Sequence, residues 1–178
     1  MRRFLPLLIC LPLAAADPQM SNAERTKVLN WLAESRKEFL AAIDGVSETQ
    51  WKWKPAPEKW SVGECAEHVV LAEASQFDRV KKALASPADP DWEKKTAGKS
   101  QLIEMALPSR MGRVQAPENI VPSGKMTRAE VIARFDKQRA EILKFAPETQ
   151  ESLKEHLAEH PFAMFNPLNA YQWLTYIP

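Results

Sequence analysis

Glycine is scarce in this chain, which has five glycines among 178 residues. Glycine-rich phosphate loops and dinucleotide fingerprints need several glycines at fixed spacing, and neither motif occurs. A Ser/His/Asp nucleophile elbow is also missing. No segment alternates apolar and polar residues as a half-buried strand does. The sequence therefore predicts an all-α fold, and it excludes the common nucleotide-binding and serine-hydrolase classes.

Cysteine is nearly absent as well, with only Cys10 and Cys65. Residues 1–16 have the pattern of an export signal: a basic start, the apolar run Phe4 to Leu13, and the small residues Ala14 to Ala16. We expect cleavage after Ala16 and a periplasmic or secreted location. Cleavage would remove Cys10 and leave Cys65 alone, so no internal disulfide is expected.

No second apolar run is long enough to cross a bilayer, which takes about 20 residues, so no membrane association is expected after cleavage. Charge of one sign is not in excess either. Loss of Arg2 and Arg3 with the signal leaves 22 basic residues against 23 acidic ones. A nucleic-acid partner is therefore not expected.

Three segments have helical periodicity, and each opens with a capping box, in which a Ser or Thr is followed three residues later by Glu. The pairs are Ser21 with Glu24, Ser61 with Glu64, and Thr127 with Glu130. These helices are predicted to end near Gly45, before Pro87 and at Pro147. Each helix has a predicted apolar stripe. The stripe of the first helix holds Val28, Leu29, Leu32, Phe39 and Ile43, and that of the second holds Val62, Ala66, Val69, Val70, Phe77, Val80 and Leu84. The stripe of the third helix holds Val131, Ile132, Phe135, Ile142 and Ala146.

A fourth helix is predicted to begin near Asn166-Pro167, since Asn caps helices well and Pro is accepted at the first helical position. Its apolar face would hold Ala170, Trp173, Leu174 and Ile177. A terminal helix this short has little apolar surface to dock, so we expect an incomplete helix from a truncated or partial sequence. Residues 86–126 form a long proline-containing loop, with a short helical piece expected at Gln101 to Ala106.

Charged residues interrupt the predicted apolar stripes. Glu73 lies within the stripe of the second helix, where an unpaired carboxylate would be costly. Arg36 and Arg139 interrupt the stripes of the first and third helices. We expect a buried ion pair of Glu73 with Arg139, or a triad that includes Arg36, and favour a structural role over general-base catalysis.

Cys65 lies at the edge of the second stripe, one turn from His68, so both could touch one ion. A small buried hydrophobe is the favoured interpretation of Cys65. Trp51, Trp53 and Trp60 alternate with lysines and could form a stacking platform for bases or sugars. We favour packing at one end of the helices.

Histidine provides the candidate metal ligands. His68 is predicted on the flank of the second helix, near Ala72 and Ser75, where a cleft could admit solvent. From spacing alone a surface histidine is favoured over a ligand. His156 and His160 have i, i+4 spacing, but Pro161 pushes the residue before it out of helical conformation, so the two rings need not share a face.

Several of these pieces resemble the DinB/YfiT-like superfamily. They are the stretch from Trp53 to Glu64 leading into Glu67, His68 and Glu73, the Ala116-Pro117-Glu118 and Pro122-Ser123-Gly124 turns, and His160-Pro161 before Tyr171-Gln172-Trp173-Leu174. The resemblance covers residues 22–178. It implies a four-helix bundle that holds a divalent metal such as zinc, nickel or manganese on three histidines, one from the second helix and two, at i and i+4, from the fourth.

Members of this superfamily are metal-dependent hydrolases or thiol-linked transferases, and many have no assigned reaction. His68 matches the first metal ligand, whereas the other two would follow Pro178. In the full site, the open coordination position would lower the pKa of bound water. The alternative is a catalytically silent bundle that binds a partner or small ligand. A short fourth helix would also leave an apolar seam, which makes a homodimer an expectation.

Overall fold

A computed structural model describes residues 16–109 and 115–178 of the chain, and most of them are helical. The all-α prediction is confirmed at this level, whereas the predicted signal segment lies outside the described residues except for Ala16. The helices are α1 (Asn22–Ile43), α2 (Glu48–Lys52), α3 (Val62–Leu84), α4 (Trp92–Thr96), α5 (Lys99–Ala106), α6 (Arg128–Glu148) and α7 (Ala170–Thr175). Short 3-10 turns occupy Glu118–Ile120 and Ala163–Phe165.

The three long helices begin where the capping boxes predict. The side chains of Ser21, Ser61 and Thr127 each accept a hydrogen bond from the backbone N–H three residues on, and the Glu there bonds back. Helix α1 ends two residues before Gly45, which has a φ of +67°. Pro147 was predicted to close the third helix, but α6 continues through it to Glu148.

The last helix begins later than predicted. Asn166-Pro167 is a cis peptide outside the helix, and the capping residue is Asn169, whose side chain accepts from Gln172 N–H. All six residues of α7 are buried. The expectation that this helix lacks surface to dock is therefore wrong, because α7 lies against α3 and α5 and is covered on every side.

A small pair of strands was not predicted. Strand β1 (Leu157–Ala158) pairs antiparallel with β2 (Leu168–Asn169), just before α7. Two-residue strands are too short to show a period of two in the sequence. The predicted helical piece after residue 86 is confirmed as α5, while α2 and α4 were missed.

The buried face of α3 is rotated from the predicted stripe in its first turns. Gly63, Ala66, Glu67 and Val70 are buried there, whereas Val62 and Val69 are each 38% exposed. Cys65 lies on the exposed side with Val62 and Val69, so its predicted burial is wrong. Val62, Cys65 and Val69 have the spacing of three and four residues that is typical of a core stripe, but the neighbouring face of α3 is the one that packs.

The core has two groups of buried apolar side chains. The larger group gathers α7 with the inner faces of α1, α3, α5 and α6, and the smaller one lies where Phe135 meets Val70 and Trp51. Among the helices described, none has the length and apolar character needed to cross a bilayer.

Candidate functional site

The predicted buried ion pair is confirmed. Arg139 Nε donates to Glu73 Oε2 at 2.7 Å, and the two side chains are 4% and 2% exposed. Arg139 also donates to Leu32 O at 2.7 Å and to Ser35 Oγ at 2.9 Å. Burial raises the pKa of Glu73, and attraction to Arg139 opposes that rise only in part. The pair ties α1, α3 and α6 together, which is a structural role.

Arg36 is not part of that buried cluster, so the triad is wrong. Its guanidinium donates to Asp136 at 2.8 Å, and both side chains are more than 40% exposed. A long arginine side chain can leave an apolar stripe and reach water, which sequence periodicity does not reveal.

Among the three tryptophans singled out, only Trp51 is in the core. Its ring lies on Gly63, where a Cβ atom would come within 2.5 Å of the indole Nε1, and Nε1 donates to Met126 O at 3.2 Å. Trp53 is 63% and Trp60 37% exposed. The packing interpretation therefore holds for Trp51 alone, and Gly63 is required by close approach.

Glu67 holds the segment before α6, and sequence reasoning assigned it no role. Its carboxylate accepts from Ser123 N–H and Oγ, both at 2.8 Å, and from Gly124 N–H at 2.9 Å. Although burial raises the pKa of Glu67, the hydrogen bonds from Ser123 and Gly124 outweigh it and the pKa is lowered. The sequence signal that could have predicted this contact is an acidic residue between the apolar Ala66 and Val70, together with a Pro-Ser-Gly turn whose N–H groups need an acceptor.

His68 is half-buried on α3, and its ring orientation is fixed. Nδ1 lies 2.8 Å from Ile120 O, and the ring centroid is 4.9 Å from that of Trp60. A carbonyl oxygen only accepts, so Nδ1 carries the proton and the neutral ring keeps its lone pair on Nε2. Metal-ligating histidines commonly have this arrangement, because the second nitrogen is held by a backbone carbonyl.

The other two histidines are apart from His68 and do not share a helix. His156 Nδ1 lies 2.7 Å from Ser86 O. His160 is 6% exposed among the rings of Phe162, Phe165, Trp173 and Tyr176. Burial lowers the pKa of His160 to about 4, despite the hydrogen bond from Phe162. The expectation that Pro161 separates the two rings agrees with this geometry.

The described residues do not make a complete metal site. No group of three or more His, Cys, Asp or Glu side chains in residues 16–109 and 115–178 could hold an ion. Although Cys65 is on the exposed side of α3, partial desolvation of its sulfur and the neighbouring Glu64 carboxylate raise the pKa of the thiol, which disfavours the thiolate that binds metals. Among the residues described, His68 and His156 each have Nδ1 within hydrogen-bond distance of a backbone carbonyl, and the resemblance to the family singles out His68.

Comparison with known proteins identifies the family. The family model of the DinB superfamily matches residues 31–176, which is most of the chain. The chain belongs to the DinB superfamily, and the resemblance given by the motifs is confirmed. Searches of curated proteins and of solved structures found no significant match.

Proposed function

We propose that this protein is an exported metal-dependent hydrolase or thiol-linked transferase of the DinB superfamily, built as a four-helix bundle in which His68 is one metal ligand. The observation that carries the proposal is the hydrogen bond between His68 Nδ1 and Ile120 O, which leaves Nε2 free to bind zinc, nickel or manganese. The reaction itself is drawn from the family and from no residue of this chain.

The resemblance implies that the other two ligands would follow Pro178, and the described residues hold no group of three or more His, Cys, Asp or Glu side chains that could bind an ion. The course of α7 supports this. Ala170 N–H bonds to His156 O, and His156 pairs with Ala88 just beyond the end of α3. Three residues later, Trp173 lies 5.9 Å from the Arg79 guanidinium.

Helix α7 therefore runs antiparallel to α3, from its end toward the half that carries His68. Arg79 and His68 are about three helical turns apart. A continuation of α7 over that distance would bring its residues opposite His68. The nucleotide sequence after codon 178 tests this: the proposal expects an open frame with His-x-x-x-His within about three turns, and a frame lacking it would refute the three-histidine site.

Metal analysis of the full gene product tests the role of His68. The informative variant is His68→Asn, because the Asn amide can still donate to Ile120 O while the position of Nε2 is lost. We expect about one metal per chain in the wild type after dialysis and at least a tenfold loss in this variant.

His156→Asn is the matched control. His156 is also partly buried and also bonds a backbone carbonyl through Nδ1, at 2.7 Å from Ser86 O. Its replacement should leave the metal content unchanged. Equal metal in wild type and His68→Asn, or no metal in either, would end the enzyme proposal.

The second candidate is a catalytically silent bundle that binds a small ligand or partner. The lack of a three-ligand cluster among the described residues favours it, as does the structural role of Glu73 and Arg139. A full gene product without metal, folded and monodisperse, would support this candidate.

Export and dimerisation are also proposed. The basic start, apolar run and small residues of Met1 to Ala16 support export, and amino-terminal sequencing should find Asp17 first. The support for association is a cleft of about 390 Å³ between α1, α5 and the end of α7, where Trp31, Ile103 and Leu107 form apolar walls beside the acidic residues Glu34, Glu38 and Glu104. A monomeric mass in sedimentation would refute the dimer.

A further inference from the structure

A small aromatic cavity lies between the second half of α3, the turn at Glu118–Ile120, the segment His160 to Phe162 and the C-terminal half of α7. Its volume is about 150 Å³. Trp173, Tyr176 and Phe162 supply ring walls, and Arg79, Gln76 and His160 supply polar groups. None of the residues that line it is acidic. Ile120, which bonds His68, forms part of the wall, so the cavity is next to the proposed ligand but separate from it.

His160 presents an unused hydrogen-bond donor at this cavity. Phe162 N–H donates to its Nδ1 at 3.0 Å, so the neutral ring carries its proton on Nε2. Nε2 has no partner among the described residues, although the residue is only 6% exposed. A ligand that supplies an acceptor at the cavity can form the hydrogen bond that the described residues leave open.

Arg79 adds a positive charge beside the aromatic wall. Its guanidinium carbon lies 5.9 Å from the Trp173 ring, and one of its nitrogens donates to Glu159 O at 3.3 Å. No carboxylate pairs with Arg79 among the residues described. Its remaining N–H groups match the geometry of a carboxylate, which guanidinium binds through two parallel hydrogen bonds.

We propose that this cavity binds a small aromatic carboxylate, with its ring among the aromatic walls of the cavity and the carboxylate oxygens accepting from His160 Nε2 and Arg79. The volume limits the ligand, because a cavity of roughly 150 Å³ holds about one six-membered ring and not a nucleotide or a larger cofactor. The proposal does not depend on metal at His68, and it holds for either candidate function.

Titration calorimetry of the full-length protein with benzoate tests the proposal. A ligand of this size should bind with a dissociation constant on the order of 0.1 to 1 mM. Benzamide, which keeps the ring without the charge, and acetate, which keeps the charge without the ring, should each bind at least about tenfold more weakly. Wild-type protein without saturable benzoate binding, or with equal affinity for benzoate and benzamide, would overturn the proposal.

Two variants locate the site, and a third serves as the control. Arg79→Gln should weaken benzoate binding at least about tenfold, and His160→Phe, which keeps a ring but loses Nε2, about fivefold. Lys82→Gln removes a charge from the same helix one turn away, on an exposed residue, and should change the affinity less than twofold. Arg79 is partly exposed, so its variant remains informative if His160→Phe fails to fold. Equal affinities of Arg79→Gln and wild type would refute the assignment.

Discussion

Breaking the Glu73–Arg139 pair from the arginine side should strongly destabilise the protein. Arg139→Met replaces the guanidinium with an apolar side chain and leaves the Glu73 carboxylate buried. Arg139 supplies the one hydrogen bond that Glu73 Oε2 accepts, and Glu73 Oε1 has no partner among the described residues. Glu73 is 2% exposed, so water does not replace the lost partner.

The expected loss is about 3 to 5 kcal/mol in the free energy of unfolding, the usual effect of leaving one buried charge without its partner. For a domain of this size, that corresponds to a drop of roughly 6 to 20 °C in Tm. Urea unfolding followed by far-ultraviolet circular dichroism measures the loss. The double variant Glu73→Leu with Arg139→Met removes both charges, and it should recover most of the stability.

The ion pair of Arg36 with Asp136, whose atoms are 2.8 Å apart, provides the matched control. It joins α1 to α6, as the hydrogen bond from Arg139 to Leu32 O also does. The side chains of Arg36 and Asp136 are both more than 40% exposed, so Arg36→Met should cost less than about 1 kcal/mol. If Arg36→Met and Arg139→Met cost the same, burial is not what makes the inner pair important. If the double variant is as unstable as Arg139→Met, the unpaired Glu73 carboxylate is not the cause of the lost stability.

Three further predictions concern packing, loop order and pH. Gly63→Ala should destabilise the protein by about 1 to 3 kcal/mol in urea, because the added Cβ would meet the Trp51 ring at 2.5 Å; a gain in stability would contradict this packing. Glu67→Gln should lower the free energy of unfolding by about 1 to 2 kcal/mol and speed hydrogen exchange of the Gly124 amide, because the acceptor of that amide loses its charge. Unchanged exchange would refute the role of Glu67 in holding the segment before α6. Burial lowers the pKa of His160 from 6.5 to about 4, so the unfolded chain binds more protons in that range and stability should fall as the pH falls, by about 2 kcal/mol from pH 7 to pH 5. His160→Phe should lose this dependence, and a wild-type protein equally stable at both pH values would show that the ring is not buried as described.

Local signals predicted the long helices well. A capping box is formed by residues three apart, so it is complete in the sequence, and Ser21, Ser61 and Thr127 all cap as expected. The buried ion pair was also predictable, because an acid and a base within apolar stripes need each other. The same argument gave a wrong prediction for Arg36, which was expected in a buried triad. Its side chain is long enough to reach water from a position within an apolar stripe.

Nonlocal packing accounts for the remaining errors. Cys65 was assigned to the core because it lies at the edge of the predicted apolar stripe and free cysteine is usually buried. Trp51, however, packs on Gly63, and this contact sets which face of α3 turns inward. The last helix was placed too early because both Asn166 and Asn169 are good caps, and only the pairing of β1 with β2 separates them. The contact between His68 and Ile120 joins residues far apart in sequence, which no motif encodes.

The state of the His68 ring is the most direct test of the central claim, which is that α3 presents Nε2 of this residue to a metal. Nitrogen-15 NMR of the imidazole groups in the full gene product, recorded with and without added zinc, reports each ring nitrogen separately. We expect zinc to shift the Nε2 signal of His68 while Nδ1 keeps its proton and its hydrogen bond to Ile120 O. Signals of both nitrogens that do not change with zinc, or a proton lost from Nδ1, would contradict the account.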